Sequence, residues 1–223
     1  KAVVEEIKKT PKKTYAPLLY DLTELQREAN QRFGYSAKET LNIMQRLYEN
    51  HKVLTYPRTD SRYIEKDVVP TIKERLQACG TGPYRKLAGA LANMTAKKKD
   101  LSGKLAFVND AKVSDHHAII PTEQFVDLSH MTNEERKIYD LVVRRFLAVL
   151  YPPFEYEQTQ VTVKVGGETF FASGKIVKAQ GWRAAYEEEV YSAEDEEEEE
   201  AYESGKSLKG QTLPELEKGQ EIK

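Results

Sequence analysis

Two consecutive prolines, Pro152 and Pro153, set the strongest limit on how this chain folds. Ahead of them, Thr132-Asn-Glu-Glu135 reads as a capping box, and Ile138, Leu141, Val142, Leu147 and Leu150 recur at helical spacing. A long amphipathic helix therefore runs into the pair and stops. Proline has no amide hydrogen to donate, and its ring collides with the preceding turn. Beyond the prolines the periodicity drops to two: Thr159 to Val165 alternates as a strand does, Gly166-Gly167 is a hairpin turn, and Glu168 to Ser173 returns. At the other end, Lys1 to Thr14 mixes Val3, Val4 and Ile7 with charged residues and reads as an exposed strand. β segments at both ends of a helical middle imply an α+β chain. Its mainly helical domain, 19–150, is inserted in a discontinuous β domain made of 1–18 and 151–223.

Inside the middle, a polar-apolar pattern predicts a short helix over Leu22–Glu28, with Gly34 as the break after it. Ser36-Ala-Lys-Glu39 is a second capping box, and Leu41, Met44, Leu47 and Tyr48 carry the apolar face of a helix over about 37–50. Val53 to Tyr56 reads as a short strand halted by Pro57. Helical patterns follow over about 67–78, ended by Gly80, and about 84–94, and Lys97 to Lys99 form a basic loop.

The formal net charge of -2 conceals an asymmetry. Glu187 to Glu203 holds 11 acidic residues and no Lys or Arg, whereas residues 1–186 carry 30 basic against 22 acidic residues, a net of +8. The acidic run, densest over Ala193–Tyr202, cannot bury itself and is expected to be a mobile loop. A basic body suits a partner with a phosphate backbone. A single cysteine, Cys79, excludes a disulfide framework and a multi-cysteine zinc site. No stretch approaches the ~20 apolar residues of a membrane-spanning helix, and no secretory signal opens the chain. These features predict a cytoplasmic, nucleoid-associated protein with no membrane partner. The first residue is not Met, so a fragment is expected. With no Gly-x-x-x-x-Gly-Lys-[Ser/Thr] loop, ATP hydrolysis through a P-loop is disfavoured. The basic body has no Asp-x-Asp cluster, so the ligands of any divalent ion are expected outside this chain.

Three constellations carry chemistry. In Leu54-Thr-Tyr-Pro-Arg-Thr-Asp-Ser-Arg62, extended backbone would put Tyr56 and Arg58 on one face. A phenol that attacks phosphorus and a guanidinium that forks onto its oxygens suit phosphodiester chemistry. The bland alternative, among 13 tyrosines, is packing beside a solvated charge. In Ser114-Asp-His-His-Ala-Ile-Ile-Pro-Thr122, His116 and His117 are adjacent and diverge, so they do not chelate one metal, but one could donate to a phosphate oxygen. Asp115 would orient a ring or cap the turn, and the alternative is a loop histidine satisfied by backbone or water. Gln26, Arg27, Arg32, Lys38, Gln45 and Arg46 would suit a single-stranded backbone if they shared one face of paired helices. The alternative there is a solvated helix face.

Taken in order, these segments resemble the type IA DNA topoisomerases, and among them the bacterial topoisomerase III branch. Pro17-Leu-Leu-Tyr-Asp-Leu-Thr-Glu-Leu-Gln-Arg-Glu-Ala29, the helix Ser36 to Glu49, Leu54-Thr-Tyr-Pro-Arg-Thr-Asp60 and His116-His-Ala-Ile-Ile-Pro-Thr122 carry the resemblance. It implies that Tyr56 is the covalent nucleophile, Arg58 its phosphate-binding partner and His116 the phosphate-contacting histidine. His117 stands where topoisomerase I relatives commonly have an acidic residue. Gln45, Arg46, Thr59, Asp60, Arg62 and His117 are the candidate DNA contacts around that centre. The helical middle would be the nucleophile-bearing domain and the β segments a gate-hinge domain. The implied cofactor is Mg2+, held by a Toprim domain outside this chain, and no ATP is implied. The implied partners are a single-stranded DNA segment and the rest of the polypeptide. A competing expectation is a non-catalytic nucleic-acid-binding module, whose binding would not depend on Tyr56.

Overall fold

The structure is a computed structural model that describes residues 2–97, 105–186 and 216–222. The acidic run 187–203 lies outside the described residues, as do Lys98 and Lys99 of the basic loop. The fold mixes helices with an antiparallel sheet, and its contacts divide into two units, Lys1–Tyr15 with Pro153–Lys223 and Ala16–Pro152.

The first unit is built on a sheet of β1 (Ala2–Thr14), β2 (Phe154–Val165), β3 (Glu168–Ala179) and β4 (Glu221–Ile222), in the order β3-β2-β1-β4. β1 pairs with β2 from Ala2↔Val165 to Thr14↔Phe154, with an irregularity between Val4 and Glu6. Ala2 and Val3 also pair with β4, so β1 is an inner strand only there; along most of its length it is exposed, as expected, with Val4 its one buried residue. Gly166 (φ 58°) and Gly167 (φ 97°) make the expected hairpin turn, which needs two residues at positive φ. β3 runs on past Ser173 to Ala179. A small core of Val4, Phe154, Tyr156, Val161, Trp182 and Ala185 packs on this sheet, and the Trp182 indole donates to the Thr14 carbonyl at 3.0 Å. Gly181 (φ 49°) allows that turn: a Cβ there would lie 2.1 Å from the Pro153 carbonyl oxygen.

The second unit holds α1 (Leu22–Phe33), α2 (Ala37–Glu49), α3 (Ile72–Cys79), α4 (Arg85–Lys97) and α5 (Asn133–Leu150). α1 is longer than the pattern predicts. Its second half buries only Ala29, so no apolar stripe marks it; Asp21 caps its start and Gly34 (φ 72°) its end. Both halves of both capping boxes are formed, Ser36 with Glu39 and Thr132 with Glu135. The helix expected from residue 67 begins at Ile72, behind a single 3-10 turn at Val69–Thr71 that contains Pro70. Val53–Tyr56 is not a strand: Leu54 alone bridges to Pro121, because the neighbouring loops meet it one residue at a time. Leu25, Met44, Leu47, Ile72, Leu76, Leu91, Ile138, Val142 and Phe146 fill the core. Among the described residues, no helix is long and apolar enough to cross a membrane.

Glu135 ties α5 to α2, accepting from Arg46 Nε at 2.8 Å and lying 3.1 Å from His51 Nε2. Burial pushes its carboxyl up, but Arg46, the Thr132 amide and His51 outweigh that and hold it below the usual carboxylate range. A lowered folded-state value means the tie is fully formed above the ordinary carboxylate range. It is lost as pH falls through that lowered value.

Burial also pushes the Cys79 thiol up to about 12, so it stays protonated and unreactive in the fold. The raised value removes stability as pH climbs above the ordinary thiol range towards about 12. The folded chain is expected to resist iodoacetamide at pH 8 and to label only in denaturant. Rapid stoichiometric labelling of the folded chain would show that Cys79 is not sealed.

Candidate active site around Tyr56

Two loops far apart in sequence are laced together to make the site. The Thr55 amide donates to the Ile120 carbonyl at 3.0 Å, and the Ile120 amide returns a bond to Thr55 Oγ1 at 3.0 Å. Thr55 Oγ1 also donates to the Ala118 carbonyl at 3.3 Å, and Thr59 Oγ1 donates to the His116 carbonyl at 2.8 Å. A third segment backs both loops: the Ile119 amide donates to the Tyr20 carbonyl at 2.9 Å, and the Leu22 amide to the Thr59 carbonyl at 3.0 Å. Buried backbone groups need partners, and threonines serve because one hydroxyl both donates and accepts.

Tyr56 stands at the mouth of this lacing. Its ring lies 4.2 Å from the His116 ring, centroid to centroid, and 5.6 Å from the Tyr48 ring, which meets it edge-on at 81°. Along the loop, burial alternates. Pro57, Thr59 and Ser61 turn inward, while Tyr56 is half-buried and Arg58 and Asp60 are exposed. That alternation fits an extended run of backbone without a ladder partner. Arg58 makes no side-chain hydrogen bond or ion pair with the described residues, which leaves its guanidinium fork free to bind an anion.

The remaining candidates divide. His116 is exposed, while half-buried His117 points Nδ1 at the Ala118 carbonyl, 2.7 Å away. Asp115 bonds to neither ring and orients neither. Thr59 is only 7% exposed, and its hydroxyl donates to the His116 carbonyl and accepts from the Ser61 amide. Arg62 Nε donates to the Leu19 carbonyl at 3.1 Å, and another of its nitrogens lies 3.9 Å from Glu24. Arg46 is held by Glu135, and Gln45 is half-buried beside it on α2. The basic face read on α1 is largely neutralised, with Arg27 paired to Glu24 and Arg32 to Glu28. Asp60 stays exposed. Among the described residues, no group of three or more His, Cys, Asp or Glu side chains converges as a metal site would.

Residue spacing missed two neighbours of the nucleophile candidate. Tyr48 reads as part of an apolar helix face, yet it is 38% exposed and touches Tyr56. Lys52 carries no sequence signal, but its φ of 58° makes it the only non-glycine at positive φ among the described residues.

Thr59→Val keeps the side-chain shape and removes the hydroxyl that serves the Ser61 amide and the His116 carbonyl. It is expected to cost about 1–3 kcal/mol in urea unfolding, with Thr59→Ser recovering most of the loss. Equal stability of the valine variant and the parent would show that the lacing carries no energy.

Residues 1–223 match a family described as DNA topoisomerase. DNA topoisomerase 3 of Bacillus subtilis is 54% identical over 218 residues, and that of Bacillus cereus 57% over 218 residues. Each alignment covers 98% of this chain and 28% of the relative, so the chain spans little more than a quarter of those proteins' length. Among solved structures, full-length topoisomerase I from Thermotoga maritima superposes with a TM-score of 0.59 at 24% identity, over 98% of this chain and 32% of that one. That likeness is one of fold.

Proposed function

The chain belongs to the type IA DNA topoisomerases, with topoisomerase III proteins among its relatives, and from that membership we propose that it carries the nucleophile of a strand-cutting, strand-rejoining enzyme. The observation that carries this reading is the setting of Tyr56: a half-buried phenol braced between the His116 and Tyr48 rings, with an unpaired arginine two residues on.

In the intact enzyme, Tyr56 Oη attacks a phosphodiester of single-stranded DNA. The Oη–P bond forms as the P–O3′ bond breaks. The proton lost by the phenol is balanced by one gained at O3′, leaving a 3′-hydroxyl and a 5′-phosphotyrosyl link. Arg58 forks onto the non-bridging oxygens and His116 donates to one of them, meeting charge where it develops. The phosphotyrosyl bond conserves the phosphodiester energy, so religation needs no ATP. The helical unit acts as the nucleophile-bearing domain and the sheet unit as its gate hinge. The described residues of this chain do not fit a magnesium site; on this reading its ligands, and the Toprim domain, belong to the rest of the polypeptide.

The decisive experiment mixes the chain with a Toprim-containing partner piece and an end-labelled oligonucleotide. Label transferred to Tyr56 supports the reading, and transfer to another residue overturns it. The 223-residue chain by itself is expected not to relax supercoiled DNA.

A further inference from the structure

A recess of about 640 Å³ opens beside Tyr56. Tyr48, Glu49, Lys52, Tyr56, His117 and Thr122 line it. We propose that this recess seats the nucleotide whose 5′-phosphate becomes bonded to Tyr56, with its base against the Tyr48 ring and the next phosphate towards Lys52. The proposal rests on Tyr56 being the nucleophile and names the part of the strand that its surroundings hold.

Four features point to this occupant. The volume suits a nucleotide-sized ligand. Whatever is joined to Tyr56 through one phosphate must lie within a bond or two of its oxygen. The His116 ring packs against Tyr56 but does not line the recess, which leaves that space to another occupant. Tyr48 is held edge-on to Tyr56 and remains 38% exposed, so part of its ring surface is open to a base; stacking tolerates any base because each has a π-face.

The far wall is built rather than loose. Lys52 sits at φ 58°, a conformation that a lysine leaves unless its neighbours hold it. Thr122 Oγ1 donates to the Lys52 carbonyl at 2.6 Å, and the Thr122 amide to the Val53 carbonyl at 3.0 Å, which fixes the turn. The Lys52 side chain is exposed and forms no ion pair with the described residues. Glu49, also lining the recess, repels phosphate, whereas the Lys52 ammonium attracts it, so the backbone phosphate is assigned to Lys52.

The test uses the full-length protein and a single-stranded oligonucleotide with one mapped cleavage site. A tetrahydrofuran abasic analogue replaces either the first nucleotide on the 5′-phosphotyrosyl side or the fourth. The first substitution is expected to lower covalent adduct about tenfold and the fourth to leave it unchanged. Tyr48→Ala is expected to lower adduct about tenfold on the intact oligonucleotide, with no further drop on the first abasic one. Tyr48→Phe, which keeps the ring, is expected to preserve the ratio between the two. Lys52→Gln is expected to lower the salt dependence of adduct formation by about one counterion. Equal cleavage of the intact and first-abasic strands overturns the proposal while leaving Tyr56 as nucleophile. A Tyr48→Ala loss that is the same on both strands also overturns it, because Tyr48 would then merely brace Tyr56. No Tyr56 adduct on the intact oligonucleotide overturns the nucleophile reading and this one with it.

Discussion

Full-length protein carrying Tyr56→Phe is expected to bind single-stranded DNA as the parent does and to form no covalent adduct, a loss on the order of 10⁶-fold in cleavage. The substitution is unusually clean here. Phenylalanine keeps the ring that lies 4.2 Å from His116 and 5.6 Å from Tyr48, so the packing of the mouth survives and only the attacking oxygen is removed. DNA affinity comes mainly from charge contacts to phosphate, which the phenol does not supply. An adduct formed by the phenylalanine variant would end the assignment. The competing expectation, a nucleic-acid-binding module without chemistry, predicts that parent and variant behave alike in both measurements. His116→Ala should behave differently from either. It leaves the nucleophile but removes a ring contact and a phosphate donor, and a drop in cleavage on the order of 10²–10³-fold is expected.

Arg145→Ala is expected to destabilise the helical unit by about 3–5 kcal/mol. Arg145 is 7% exposed, and its guanidinium does several jobs at once. It donates to the Leu18 carbonyl at 3.0 Å, to Tyr20 Oη at 3.1 Å and to Glu28 at 2.8 Å, and it lies 4.2 Å from the centre of the Tyr20 ring. Truncation would leave the Glu28 carboxylate, which also accepts from the Tyr20 hydroxyl, with Arg32 as the cation still paired to it in a largely closed pocket. The loss would reach the site. Tyr20 bridges to Ile119 in the loop that carries His116, so loosening residues 18–20 removes the backing of the laced loops. Urea unfolding measures the cost. The double variant Arg145→Met with Glu28→Gln is expected to recover part of it, because the carboxylate that lost one of its two cations is gone. A loss below about 1 kcal/mol for Arg145→Ala would mean that the cluster is better solvated than its burial implies.

The ends of α2 and α5 were legible because capping boxes and prolines act over three or four residues of chain. Ser36 with Glu39, Thr132 with Glu135 and the Pro152-Pro153 stop each formed as their spacing requires. The Gly166-Gly167 hairpin was legible for the same reason, since positive φ is a local demand. Where the second half of α1 lacks an apolar stripe, the pattern stopped early at Glu28. The strand expected at Val53–Tyr56 failed because a strand is defined by its partner, and the partner offered single bridges.

The family resemblance came from the order of the motifs, and Tyr56, Arg58 and the His116-His117 pair were already candidates on chemistry alone, with His116 singled out by the resemblance. Their surroundings were not legible. No local rule places Thr59 Oγ1 under the carbonyl of His116, across a separation of 57 residues, or Arg46 on Glu135, across 89. Nor does any rule set the Tyr48 ring against Tyr56 or hold Lys52 at positive φ. By itself the sequence determined which residues are candidates for phosphoryl chemistry and where capped or proline-stopped helices begin and end, because both depend on residue type and short spacing. The tertiary structure alone decided which polar groups were consumed in holding the site together and which were left free to meet a ligand. A hydroxyl or guanidinium is committed only when distant backbone comes within about 3 Å of it, and that proximity is a property of the packed chain.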